Sequence, residues 1–188
     1  MLQTWPSRLQ LALCALLLGV SGCALAAGDT VSGEFELLDH HGVRVNERSF
    51  DGKLRLVFFG FTQCPDVCPT TLFEVARVMQ LLGEDAAQVQ PLFISIDRDN
   101  DTPERIASYV GAFHPAMIGL TGSEQQLQAA AEAFKVSYGI QRDGPPGTNS
   151  LFHSSYLFLM DRQGRFLDLF GYGTRAAVIE ARLRNYLR

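Results

Sequence analysis

Cysteine is scarce in this chain: four in 188 residues, of which Cys14 and Cys23 fall in an apolar N-terminal stretch. Only Cys64 and Cys68 remain for the folded part. That excludes a framework of disulfides tying distant segments, the usual employment of cysteine in an exported domain. A bridge between two residues so close in sequence would stabilise the fold little. Basic clusters are missing as well. The net charge is −4; without residues 1–27, whose only charged side chain is Arg8, 15 basic side chains face 20 acidic ones, a net charge of −5. Nucleic acid and anionic surfaces are therefore poor partners. No internal repeat and no long linker divides the chain, and 188 residues suit one core better than two.

The one long apolar run, Leu9 to Val20, is interrupted by Gln10 and Gly19 and preceded by Arg8, the pattern of an export signal. Three outcomes stay open for residues 1–27. Val20-Ser21-Gly22-Cys23 has the form of a lipobox, with Cys23 lipidated after cleavage. Ala24-Leu25-Ala26 reads as a small-residue cleavage site. Left uncut, Leu9 to Ala27 is 19 residues, near the ~20 that span a bilayer. Each outcome puts residues 28–188 outside the cytoplasm as a single domain, membrane-anchored if Cys23 is lipidated.

Within that domain, Phe35–Leu38 and Val43–Val45 flank a His40-His41-Gly42 turn and predict a hairpin. Leu54–Phe59, apolar but for one Arg, suits a buried central strand. Leu72, Val75, Val78, Met79 and Leu82 recur at helical spacing before Gly83. Pro91–Ile96 is the next buried strand. Asp101 to Glu104 has the form of a capping box opening a helix to Phe113, and Ser123 with Gln126 forms a second. Ala116–Leu120 is a short strand, and Gln141–Asn149 an exposed Gly/Pro-rich loop. Tyr156–Met160 and Phe166–Phe170 form a second hairpin. A last helix is capped by Thr174, with Val178, Ala181, Leu183 and Leu187 on its apolar side. This alternation describes an α/β sandwich with a central mixed sheet flanked by helices and an N-terminal hairpin extension.

The chemistry concentrates where Leu54–Phe59 ends. The chain turns through Gly60 and presents Cys64 and Cys68, each followed by proline, then enters a helix. Pro69 is expected at the first helical position, which puts Cys68 at the cap and Cys64 on the turn before it. A thiol there should ionise more easily than free cysteine, with its pKa of about 8.5. Two such sulfurs can close a disulfide or grip a soft metal. The other candidates are weaker. His40 and His41 have no third ligand near in sequence and read as a solvated turn. Asp97, Asp99 and Asp101 alternate as in a calcium loop, but Thr102 and Ser108 stand where glycine and glutamate are needed; a solvated loop and helix cap is the expectation, with a weak acidic rim beside the metal site as the lesser alternative. His114 reads as structural, and Asp66 as turn chemistry or an electrostatic neighbour of the thiols.

Cys64-Pro65-Asp66-Val67-Cys68-Pro69 resembles the cysteine motif of the Sco/SenC family of thioredoxin-fold copper proteins. The likeness extends to Val57–Thr62, Ser95-Ile96-Asp97, Asp101–Glu104, Leu120-Thr121-Gly122 and His153. It implies a thioredoxin-like sandwich in which Cys64, Cys68 and His153 bind one copper ion. It also implies a role in assembling the binuclear copper site of cytochrome c oxidase, with the copper-bearing subunit or another copper protein as partner. The chain departs from the family pattern at Phe152, where Asp is common, and at Arg98, where proline is usual. The donor set agrees with the resemblance, since thiolates prefer Cu(I) and imidazole accepts both copper oxidation states. Zinc fits such donors too. The rival reading is a thiol–disulfide oxidoreductase with Cys64 attacking and Cys68 resolving. Three intervening residues, against the two of redox thioredoxins, favour metal. A peroxidase or redox-sensor role lacks an activating group.

Overall fold

The computed structural model describes residues 30–141 and 150–187. The readings of residues 1–27, including lipidation of Cys23, and most of the Gln141–Asn149 loop lie outside the described residues.

Strand β3 (Leu54–Gly60) is buried along its whole length because both of its faces are covered. Period-two alternation sends Leu54, Leu56 and Phe58 into one core and Val57 and Phe59 into the other. The first core lies under α1 (Val67–Leu82), α2 (Pro103–Gly111) and α4 (Ala176–Leu187). The second lies under α3 (Glu124–Phe134). Arg55, the one charge in β3, is buried and donates to Asp51 Oδ1 at 2.7 Å.

Parallel neighbours β4 (Val89–Ser95) and β5 (Ile118–Thr121) extend the sheet on one side. The antiparallel hairpin β8 (Leu157–Met160) and β9 (Phe166–Phe170) extends it on the other. Beyond β5 lies the N-terminal hairpin, β1 (Glu36–Asp39) and β2 (Arg44–Asn46), so the seven-stranded order is β2-β1-β5-β4-β3-β8-β9. This is the expected mixed sheet between helices. A further antiparallel pair, β6 (Tyr138–Gln141) and β7 (Ser150–His153), forms its own two-stranded sheet. Gln141, expected to open the loop, belongs to β6. Among the described residues, no helix is long and apolar enough to cross a membrane.

Three caps differ from expectation. Helix α1 starts at Val67 with Asp66 as its cap, two residues before Pro69, whose missing N–H lies among the unpaired first-turn donors either way. Thr102, not Asp101, caps α2, accepting from Arg105 N at 3.3 Å. At α4 the Thr174 hydroxyl donates to Gly171 O, and Glu74 of α1 reaches across to accept from Ala176 N at 2.5 Å. That register buries Ala176, Ile179 and Leu183 and leaves Val178 exposed. The Ser123–Gln126 capping box forms as expected.

His40, expected from the sequence in a solvated turn, makes structural contacts instead. Its Nδ1 accepts from Gly119 N at 2.9 Å, and its own N–H donates to Gly119 O at 2.9 Å, stitching β1 to β5. Burial, reinforced by the neighbouring His41 charge and opposed by Asp39, holds its pKa below the ordinary 6.5. A lowered folded pKa means the unfolded chain binds the proton first. The stability from this contact is present above 6.5 and is lost as pH falls below it. The urea midpoint should therefore drop between about pH 7.5 and pH 5. His40→Asn, whose side-chain oxygen can accept the same N–H, should show a shallower drop; an unchanged slope would refute this assignment.

Candidate metal centre

The site is built where β3 ends against the start of α1. Cys64 N donates to Phe61 O at 3.2 Å, closing the turn, and Cys64 Sγ accepts from Cys68 N at 3.4 Å. That sulfur takes one of the helix's unpaired N–H groups, which matters because the Asp66 side chain makes no cap hydrogen bond. Cys64 is half-buried and Cys68 fully buried at 0 % exposure, and both are free thiols.

Gly60 makes room for the inner sulfur. A Cβ there would stand 2.7 Å from Cys68 Sγ and 2.9 Å from Phe93 Cε2. Gly60→Ala should cost about 1–3 kcal/mol by overpacking and weaken metal binding by displacing Cys68. Urea denaturation and a Cu(I) competition titration check the two parts. Wild-type copper affinity in the alanine variant would show that the sulfur does not depend on this gap.

The third donor arrives from β7. Register pairs His153 with Tyr138 across the β6–β7 ladder, and Phe58 and Phe61 meet the imidazole edge-on, at centroid distances of 5.7 and 6.0 Å. His153 Nδ1 lies 3.1 Å from Ser154 O. A carbonyl only accepts, so Nδ1 carries the proton and Nε2 carries a free lone pair. Nε2 lies 3.3 Å from Cys68 Sγ. Burial holds the ring's pKa below 6.5, partly offset by the Ser154 carbonyl, so the neutral imidazole persists at neutral pH. One donor atom each from Cys64, Cys68 and His153 lie within 4.8 Å of one another, the only such group among the described residues.

One electrostatic expectation fails. Cys68 sits in the first turn of α1, yet burial pushes its thiol pKa far up, and the Phe61 backbone N–H offsets this only in part. Desolvation outweighs the helix end because the sulfur has no water to share its charge. The inner thiol therefore stays protonated until a cation displaces the proton. Metal binding must then release protons and weaken as pH falls.

A family model for SCO1/SenC matches residues 24–188. The chain belongs to the SCO1/SenC family. Among SCO1/SenC relatives, the SCO2-like protein of Rickettsia felis is 40% identical over 141 residues, covering 74% of this chain and 69% of that protein. The copper-bound ScoI structure of Bradyrhizobium japonicum is 36% identical with a TM-score of 0.75, covering 83% of this chain and 99% of that one. Copper-bound ScoI of Arabidopsis thaliana is 31% identical with a TM-score of 0.77, covering 84% and 98%. The fold is thioredoxin-like, as expected.

Several features of this SCO1/SenC site escape a reading of the sequence. Asp101 is no rim residue but a buried hub. Its carboxylate accepts from Thr62 N at 2.9 Å, Thr62 Oγ1 at 2.5 Å and Ser95 Oγ at 2.5 Å. It thereby ties the turn before Cys64 to the end of β4. Asp97 is buried too, accepting from Asn100 Nδ2 at 3.0 Å, so only part of that loop is solvated. Phe152, in place of the family's usual Asp, is half exposed and lies over Gly139, its partner in register. Asp66 accepts from the Tyr172 hydroxyl at 3.3 Å, anchoring the loop after β9 beside the cysteine turn.

Proposed function

We propose that this chain is an exported copper metallochaperone. Cys64, Cys68 and His153 bind one copper ion, and the domain passes it to a copper protein, the copper-bearing subunit of cytochrome c oxidase. One observation carries the reading: a free imidazole lone pair, its tautomer set by Ser154 O, stands 3.3 Å from a sulfur whose neighbour sulfur completes a three-donor group. Two soft donors and one borderline donor suit Cu(I), and imidazole keeps Cu(II) accessible. The copper-bound ScoI relatives support the same cargo. Three ligands leave the ion room to exchange, as a carrier requires. In this reading residues 28–188 work outside the cytoplasm and residues 1–27 act as the export signal, with lipidated Cys23 holding the domain to the membrane.

The test uses the reduced protein, loaded anaerobically with Cu(I) and passed over a desalting column. One copper per chain, later lost to an added copper-free acceptor domain, is the expected result. Substoichiometric copper that exchanges freely with a weak chelator would overturn the reading. Mass spectrometry of the mature N-terminus decides lipidation of Cys23, since a diacylglyceryl cysteine is expected there and an unmodified Ala27 terminus would refute it.

A further inference from the structure

An open groove of about 1200 Å³ runs away from Cys64 and His153, far more space than a metal ion requires. Its floor is apolar, with Phe61, Ile96, Leu127 and Val136. Four carboxylates line its walls: Asp97, itself largely buried, and Asp99 from the loop after β4, and Glu124 and Glu132 of α3. Arg98 is the one lysine or arginine among the described lining residues, and its guanidinium is already engaged by Asp99 Oδ1 at 3.1 Å. Glu124 and Glu132 are exposed and enter no ion pair among the described residues.

The spacing of these carboxylates speaks against a cation site. Glu124 and Glu132 stand about 12 Å apart along the axis of α3 at 1.5 Å per residue, and no metal-holding group of the described residues includes them. A strip of separated charges over an apolar floor suits a chain instead. At about 3.3 Å per residue, an extended segment covers that length in roughly four residues. Such a segment would lay apolar side chains on the floor and cations toward the walls. The net charge of −5 outside the first 27 residues thus has a local focus beside the donors.

We propose that this groove docks an extended, cationic polypeptide segment of the protein that receives the metal. Calling the partner the recipient rests on the metallochaperone reading; the docking itself rests on the groove. Attraction by fixed charge on low-dielectric walls raises encounter rates and is screened by salt. Recipients with a lysine- or arginine-bearing strand or tail near their metal ligands are the class this surface selects.

Two fluorescently labelled peptides of equal length test the proposal on the metal-free protein, followed by anisotropy. Both alternate apolar and polar residues; one carries lysines and the other glutamates at the same positions. The lysine peptide should bind about ten-fold more tightly in about 0.01 M salt, with the advantage gone near 1 M. The double variant Glu124→Gln/Glu132→Gln should lose most of that preference. Glu36→Gln/Glu84→Gln, which removes the same charge away from the groove, should keep it. Equal binding of the two peptides, or equal loss in both double variants, overturns the proposal. Copper stoichiometry is measured separately on each variant. A docking failure with intact copper binding therefore sinks only the groove, and the converse sinks only the metallochaperone reading.

Discussion

Cys68→Ser is expected to abolish stoichiometric copper binding while leaving the domain folded. A serine hydroxyl is a hard donor that does not ionise in this buried position, so it cannot replace a thiolate toward Cu(I). The fold tolerates the change because the new hydroxyl retains a partner: His153 Nε2 stands 3.3 Å from the present sulfur and can accept from it. The stability cost should remain within about 1–2 kcal/mol, read by urea denaturation. Cys64→Ser should lose copper as completely, since it leaves one sulfur and one imidazole. A Cys68→Ser protein that still carries one tightly held copper would contradict the ligand assignment directly.

His153→Ala has the second largest expected effect, and it separates the two chemistries open to the cysteine pair. Losing a group behind a metal ligand costs about 10–100-fold in affinity. Losing the ligand itself should exceed that range for Cu(I) and remove Cu(II) binding outright, because two thiolates alone suit only the softer ion. Competition titrations with chelators of graded affinity read both losses. The variant should also be less stable without metal, as the edge-on contacts with Phe58 and Phe61 are each worth about 0.5–1.5 kcal/mol. If copper binding survived in His153→Ala while thiol–disulfide exchange ran fast, the oxidoreductase reading would replace the carrier. Attack would then begin at the half-exposed Cys64, with the buried Cys68 resolving.

The cysteine pair is legible in the sequence, and its surroundings are not. Cys64 and Cys68 announce themselves through spacing and flanking prolines, which act over one helical turn. His153 emerges only through the family resemblance, since its placement depends on the β6–β7 pairing. That pairing hides behind a Gly/Pro-rich connection and a strand containing Gly139. The strands of the main sheet are readable because burial on both faces leaves continuous apolar runs, as in Leu54–Phe59 and Pro91–Ile96. Helix α4 is misread by its register, because Val178 is apolar yet exposed and Glu74, 102 positions earlier, supplies the acceptor for Ala176 N. The ionisation of Cys68 is misjudged for a related reason. Local sequence shows the helix end but not the packing that removes water from the sulfur. Asp101 looks like a cap because it adjoins Thr102; its true partners, Thr62 and Ser95, lie on other elements.

The central claim is that two sulfurs and the Nε2 of His153 share one copper ion. X-ray absorption at the copper edge of the Cu(I)-loaded protein tests it without mutation. A first shell of two sulfur scatterers and one nitrogen is expected, with the outer-shell signature of an imidazole ring that disappears in His153→Ala. A first shell of sulfur alone, unchanged by that substitution, would contradict it.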